Sequence, residues 1–241
     1  MKFVIDTHMH TIPSGHAYST IKEMAEMGKE HGLEAIVLTE HGPEMPGSCM
    51  SFYFENTKVL PRERYGIQTF FGVELNILNS DGEVDLPERI LKRMDLTIAS
   101  LHTPCFQGER TKEAVTKAYI NAMKNPYINV IGHPDDSRFP IDYELLVRAA
   151  KEAGKLLEIN NSSMREDNNR ENAVENLRTM LKLCKEYQVP VVAGSDAHVD
   201  LDVGKLGLVE KILEECEFPE ELVVSTSLEK IKPFMNRYKK Y

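Results

Sequence analysis

The sequence predicts a single α/β domain whose parallel strands close into a barrel. Strand-like runs alternate with amphipathic helical stretches along the whole chain, the pattern of a parallel sheet covered by helices. The runs are nearly continuous in apolar residues, as strands buried on both faces must be. Histidines and carboxylates gather at the C-terminal ends of those runs. A barrel brings all such ends to one face, whereas an open sheet would spread them along a line.

Seven runs read as strands: 3–6, 35–39, 69–74, 96–100, 129–132, 156–160 and 191–194. Helical periodicity marks 19–31, 111–125, 143–153, 169–187 and 205–216. Asp142 is placed to cap the helix that begins at Tyr143, and Gly32 and Gly154 stand where glycine ends a helix. Two intervals break the rhythm. Residues 42–68 form a long connection with a Met/Phe/Tyr-rich middle, of the kind that serves as a lid or substrate wall. Residues 75–86 carry Asn79, Ser80, Asp81 and Gly82 between apolar neighbours and read as a hairpin. No linker, repeat or low-complexity tract divides the chain, so residues 1–241 are read as one domain.

Composition narrows the class. Of 241 residues, 28% are charged and 41% hydrophobic, which excludes disordered and collagen-like chains. No apolar run reaches the ~18 residues of a membrane span, and residues 1–10 are too polar for a secretion signal. The four cysteines (Cys49, Cys105, Cys184, Cys216) form no C-x-x-C pair, so neither a disulfide framework nor a cysteine-rich zinc knuckle is expected. A cytoplasmic protein is the expectation. A net charge of −9, with basic residues bunched only at Arg237, Lys239 and Lys240, makes nucleic acid an unfavoured partner.

The chemistry lies in the histidines. Of eight, seven fall at or just past strand ends: His8, His10, His16, His41, His102, His133 and His198. Glu74 and Asp196 hold equivalent places. H-x-H and D-x-H on extended chain put both side chains on one side. Imidazole and carboxylate together suit zinc, manganese or iron. These nine donors exceed the three or four that one ion needs, which points to two or three ions. His31 differs: it ends a helix just before Gly32, where an imidazolium complements the helix dipole. Asp6 and Glu40, beside ligand histidines, serve either as acceptors for imidazole N–H groups or as loop caps.

The strings D-T-H-M-H-T, T-E-H-G-P, G-V-E-L, S-L-H, G-H-P and G-S-D-A-H, in that order, resemble the PHP (polymerase and histidinol phosphatase) superfamily. H-G-P-E-M at 41–45 and E-I-N-N-S-S at 158–163 further resemble its YcdX-like phosphohydrolase branch. Glu40 departs from the pattern, since many relatives carry Asp there. The resemblance implies a distorted (β/α)7, TIM-like barrel with three divalent ions, commonly zinc, with manganese or iron as alternatives. It implies that His8, His10, Glu74 and Asp196 hold the first ion. Glu74 would bridge to a second held by His102 and His133, and His16, His41 and His198 would hold a third. It also implies a homotrimer.

A hydroxide bridging two such ions would be the nucleophile, with Glu74 holding the pair together. Three divalent ions against two carboxylates leave roughly +4 at the site, a field suited to a phosphate dianion. The expected activity is therefore a metal-dependent phosphatase acting on a small phosphorylated metabolite. Alternatives are phosphodiester or exonuclease-type hydrolysis, histidinol-phosphate hydrolysis, and an inactive metal-binding scaffold. Arg138 and Arg165 are candidate phosphate clamps or plain surface arginines. Asn160, Asn161 and Ser162 would line the pocket or cap a turn, and Cys105 reads as a buried spectator. Met45, Met50, Phe52, Tyr53 and Phe54 would wall the mouth or pack the long connection down.

Overall fold

In the computed structural model, which describes residues 1–239, the chain is an α/β domain with two arcs of mainly parallel strands. Lys240 of the basic tail lies outside the described residues. The first arc holds β1 (Ile5–Asp6), β2 (Ala35–Leu38), β3 (Glu63–Arg64) and β4 (Ile67–Phe71), in the order β1-β2-β4-β3. The second holds β5 (Val73–Asn76), β6 (Thr97–Ser100), β7 (Val130–Ile131), β8 (Leu156–Asn160) and β9 (Val191–Gly194), in sequence order. Isolated parallel bridges link the arcs, Met9 to Ala197 beyond the ends of β1 and β9, and His41, past the end of β2, to Glu74 within β5.

The run expected at 69–74 is therefore two strands. Gly72 is the break: its N–H reaches Leu38, and a Cβ there would lie 2.2 Å from the Leu96 carbonyl oxygen. The connection 42–68 is more ordered than expected. It contains α2 (Ser51–Asn56) and the antiparallel β3–β4 hairpin, which turns at Tyr65 and Gly66, both at positive φ. That turn is not legible in the sequence because Glu63, Arg64 and Gln68 beside it are polar. The hairpin at 75–86 is present, with Ile77 bridging Val84 and Gly82 at φ 78°.

The remaining helices are α1 (Ile21–Glu30), α3 (Glu88–Leu91), α4 (Lys112–Met123), α5 (Tyr143–Ala153), α6 (Ala173–Tyr187), α7 (Gly207–Glu215) and α8 (Leu228–Ile231). Local chemistry sets their ends. Thr20 and Glu23 form a capping box on α1, and His31 caps its C-terminus with Nδ1 2.6 Å from the Val203 carbonyl. Asp142 accepts the Leu145 N–H to start α5, and Gly154 stops it at φ 63°. Helix α6 starts four residues later than its periodicity suggests, because Asn172 sits at φ 55° and ends the turn before it.

Strand alternation explains the core. Val37, Ile98, Val130, Leu156 and Val192 share one apolar cluster with Val224, Ile231 and Met235 from the C-terminal segment. Their strand neighbours Ala99, Ile131, Leu157 and Ala193 pack instead against Leu146 of α5 and Leu177 of α6. Each fully buried Leu or Ile contributes about 1.5–3 kcal/mol. Along β8 the same face runs Leu156, Glu158, Asn160, all buried: apolar at one end, polar at the other. The polar end of the strands is where the histidines converge.

Candidate metal centre

Strand β1 leads straight into His8 and His10, whose side chains leave on one side, so that their Nε2 atoms stand 3.1 Å apart. Glu74, in the middle of β5 and fully buried, divides its two oxygens. Oε2 lies 3.4 Å from His8 Nε2, 3.6 Å from His10 Nε2 and 2.7 Å from His41 Nδ1. Oε1 lies 2.8 Å from His133 Nε2 and 3.2 Å from His102 Nε2. Asp196 Oδ1 faces His10 Nε2 at 3.3 Å and His8 Nε2 at 3.7 Å. His16 and His41 meet through Nε2 atoms 3.2 Å apart, and the His198 ring lies 5.0 Å from that of His16. The structure thus brings together all nine predicted donors.

These donors fit divalent cations. Three overlapping groups have ligand atoms within 4.8 Å of one another: His10/His41/His198, His8/His10/Glu74 and His41/Glu74/His102. Glu74 Oε2 and His41 Nδ1 are buried and make no hydrogen bond of acceptable geometry, although they lie close. Leaving buried polar atoms so is costly unless a further group satisfies them. Two of these donor positions also carry backbone strain, Asp196 at φ 57° and His133 at φ 27°, as positions held for function often do.

Burial and neighbouring charges hold four of these donors unprotonated, His10, His16, Glu74 and Asp196. Burial, with His41 and His198 alongside, pushes His10 well below its ordinary pKa and takes His16 down to about 4. Burial works against ionisation of Glu74, but His102, His8 and His41 outweigh it and hold the carboxyl well below its usual range. Asp196 is likewise held low against its burial, by His8, His10 and Arg170. His8 goes the other way: burial lowers it, but Glu158, Glu74 and Asp196 together raise it well above normal.

The groups that orient the imidazoles are mostly ones the sequence reading passed over. Glu158 Oε1 lies 2.6 Å from His8 Nδ1, while Oε2 accepts the His133 N–H at 2.8 Å. Gly194 leaves room for that carboxylate, since a Cβ there would come within 2.4 Å of Oε1. Asn76 Oδ1 lies 2.7 Å from His102 Nδ1, and Ser14 Oγ 3.3 Å from His10 Nδ1. Glu40 reaches His10 through that serine: it accepts from Ser14 Oγ at 2.6 Å, from the Thr11 N–H at 2.9 Å and from Tyr53 at 3.4 Å. Asp6 accepts the backbone N–H groups of Ser195 at 3.0 Å and Gly204 at 2.8 Å, and so ties loops together. A signal for both existed, because Glu158 alternates with Asn160 on one face of β8 and Asn76 follows Glu74 on one face of β5.

Beside His102 and His133 opens a cavity of about 210 Å³, walled by Met45, Phe139, Asp136, Arg138 and Arg170. Arg138 lies on this wall, paired with Asp136 at 2.6 Å. Arg165 does not line it and is engaged by Asp167 and Asp202, each at 2.9 Å. Arg170, missed in the sequence, donates to Asp196 Oδ2 at 3.0 Å, Asn160 at 3.1 Å and Ser163 at 2.6 Å. Asn160 also donates to Asp196, whereas Asn161 caps α7 by accepting the Leu208 N–H at 3.0 Å. Ser162 accepts from Asn168. Burial pushes the Cys105 thiol up to about 12, consistent with a spectator. Of the long connection, Met45 lines the cavity and Phe54 joins the core, while Met50 and Phe52 face solvent.

Comparisons with known proteins bear on the family and the fold. The family model described as "PHP domain" matches residues 6–169. A "Probable phosphatase" of Caldanaerobacter subterraneus subsp. tengcongensis is 47% identical, the match covering 100% of this chain and 94% of the relative. Another, of Thermoanaerobacter sp. strain X514, is 48% identical over 100% of this chain and 97% of its own length. Among solved structures, histidinol phosphate phosphatase from Lactococcus lactis subsp. lactis, complexed with zinc, L-histidinol and phosphate, superposes with a TM-score of 0.63 at 19% identity. That match covers 89% of this chain and 94% of the other. With six ordered motifs, the converged donors and a family match over more than half its length, this chain belongs to the PHP domain family.

Proposed function

We propose that this protein is a metal-dependent phosphomonoesterase for small phosphorylated metabolites, working with three divalent ions, zinc foremost. The observation that carries the reading is Glu74, whose two oxygens face two different groups of imidazoles. His8, His10, Glu74 and Asp196 would hold one ion, Glu74, His102 and His133 a second, and His16, His41 and His198 a third. When bound, such ions supply Lewis-acid charge for phosphoryl oxygens and acidify water.

The chain's own residues do the rest. Burial holds His10 and His16 neutral, with lone pairs available. Arg170 fixes the carboxylate of Asp196 and, with Arg138, lends positive charge to the wall on which a phosphate would rest. A cavity of about 210 Å³ favours a small substrate body over a nucleic-acid strand. Phe139 and Met45 supply its apolar surface.

The test is hydrolysis of p-nitrophenyl phosphate against bis(p-nitrophenyl) phosphate by zinc- or manganese-reconstituted protein. The expected result is a large excess for the monoester. Dominant diester cleavage would replace the reading with a phosphodiesterase, and metal uptake without turnover would mark a scaffold.

A further inference from the structure

The buried polar groups around the ligands include one pair that the catalytic reading does not use. Asn76 ends β5 two residues after Glu74, on the same face, and both are fully buried. Its side-chain oxygen meets His102 Nδ1 at 2.7 Å. Its amide nitrogen is aimed the other way, at Asp85 Oδ2 (2.6 Å) and the Gly42 carbonyl (3.4 Å). With two acceptors around that nitrogen, the amide has one sensible orientation, oxygen towards the histidine. An oxygen there accepts, so His102 Nδ1 must carry the proton. His102 Nε2, 3.2 Å from Glu74 Oε1, is then left with its lone pair facing the ligand cluster.

Asp85 secures more than this amide. It returns on the hairpin closed by Ile77 and Val84, accepts the Asn76 N–H at 3.0 Å and the Glu44 N–H at 3.1 Å, and lies against Gly42. A Cβ at Gly42 would fall 2.3 Å from its carboxylate, so only glycine permits the contact. Gly42 in turn donates to the Glu74 carbonyl at 2.8 Å, and the residue before it is His41. One carboxylate outside the ligand set therefore braces two ligand arms, His102 through Asn76 and His41 through the 42–44 turn.

We propose that Asn76 and Asp85 are positioning residues that set the His102 tautomer for metal binding and hold the His41 turn in register. The proposal rests on the metal-centre reading given above, but its primary readout does not need a metal. In metal-free full-length protein, imidazole 15N shifts should report His102 as the Nδ1–H form. Asn76→Ala should convert it to a tautomer mixture. Competition with a chromophoric chelator should then show zinc affinity falling about 10- to 100-fold at the site that includes His102, as loss of an orienting partner typically does.

Asp85→Ala provides a second route should Asn76→Ala fail to fold, because it removes the carboxylate towards which the amide nitrogen is aimed. The double change N76D/D85N restores a donor–acceptor pair in reverse and should recover the tautomer and part of the affinity. An Nε2–H His102 in the wild-type protein overturns the proposal at once. So does a variant that melts at lower temperature while the tautomer and zinc affinity stay within twofold of wild type. A wild-type protein that takes up no zinc defeats the metal reading instead, and the 15N shifts still decide what Asn76 does.

Discussion

Replacing Glu158 with Gln removes a charge and almost no volume, which makes it a clean probe of how the centre is held. The carboxylate is fully buried and serves three donors, His8 Nδ1 at 2.6 Å on one oxygen, and the His133 N–H at 2.8 Å with the Asn160 amide at 3.3 Å on the other. A Gln has one oxygen to offer. If that oxygen meets His8, the amide NH2 confronts the His133 N–H, two donors face to face. If the amide flips, its NH2 confronts His8 Nδ1 and drives the proton to Nε2, the nitrogen that faces Glu74 and Asp196. Either way one hydrogen bond to a charged acceptor is lost, about 1.5–3 kcal/mol. That corresponds to a 10- to 100-fold loss of metal affinity, the range for orienting partners of metal-bound histidine. Zinc affinity by chelator competition measures it directly, with circular dichroism to confirm the fold. An affinity within twofold of wild type would refute the claim that Glu158 orients His8, through Nδ1, for metal binding.

Other expectations are separable from this one. Glu74→Ala or His10→Ala should lower the rate of monoester hydrolysis by at least ~10²-fold, the size expected for losing a charge-stabilising element; a near-normal rate with metals still bound would refute the bridging role of Glu74. Gly72→Ala should cost about 1–3 kcal/mol in chemical denaturation, because the new methyl meets the Leu96 backbone, which cannot yield as a side chain would. Lys155, whose ammonium donates to the carbonyls of Asn125 and Ile128, has its pKa lowered from 10.5 to about 8, first by burial and then by Lys239. Between those two values the unfolded chain binds a proton that the folded chain has released, so this group's contribution to stability rises with pH through the window. Wild type should therefore gain on Lys155→Met between pH 7.5 and 10, by at most about 2 kcal/mol after solvent screening. A stability difference that stays flat across the window would contradict it.

What the sequence determined by itself follows from local and periodic rules. Runs of apolar residues at 35–39 and 191–194 became β2 and β9 because strands buried on both faces tolerate little else. Asp142 and Gly154 bounded α5 because an N-cap acceptor and a left-handed glycine act over three or four residues. The nine donors were legible because parallel strands deliver their C-terminal ends to one place, whatever the packing details. Tertiary structure alone decided the split at Gly72, which depends on how near the Leu96 backbone comes. It alone picked Glu158 and Asn76, rather than the sequence neighbour Asp6, as direct partners of the imidazoles, since strand register and not sequence distance sets which polar atoms meet. It also released Arg170 from the expected helix: the left-handed Asn172 ends the turn before α6, and the guanidinium is free to reach Asp196. Periodicity records which face a residue presents, but only the folded chain fixes what stands opposite.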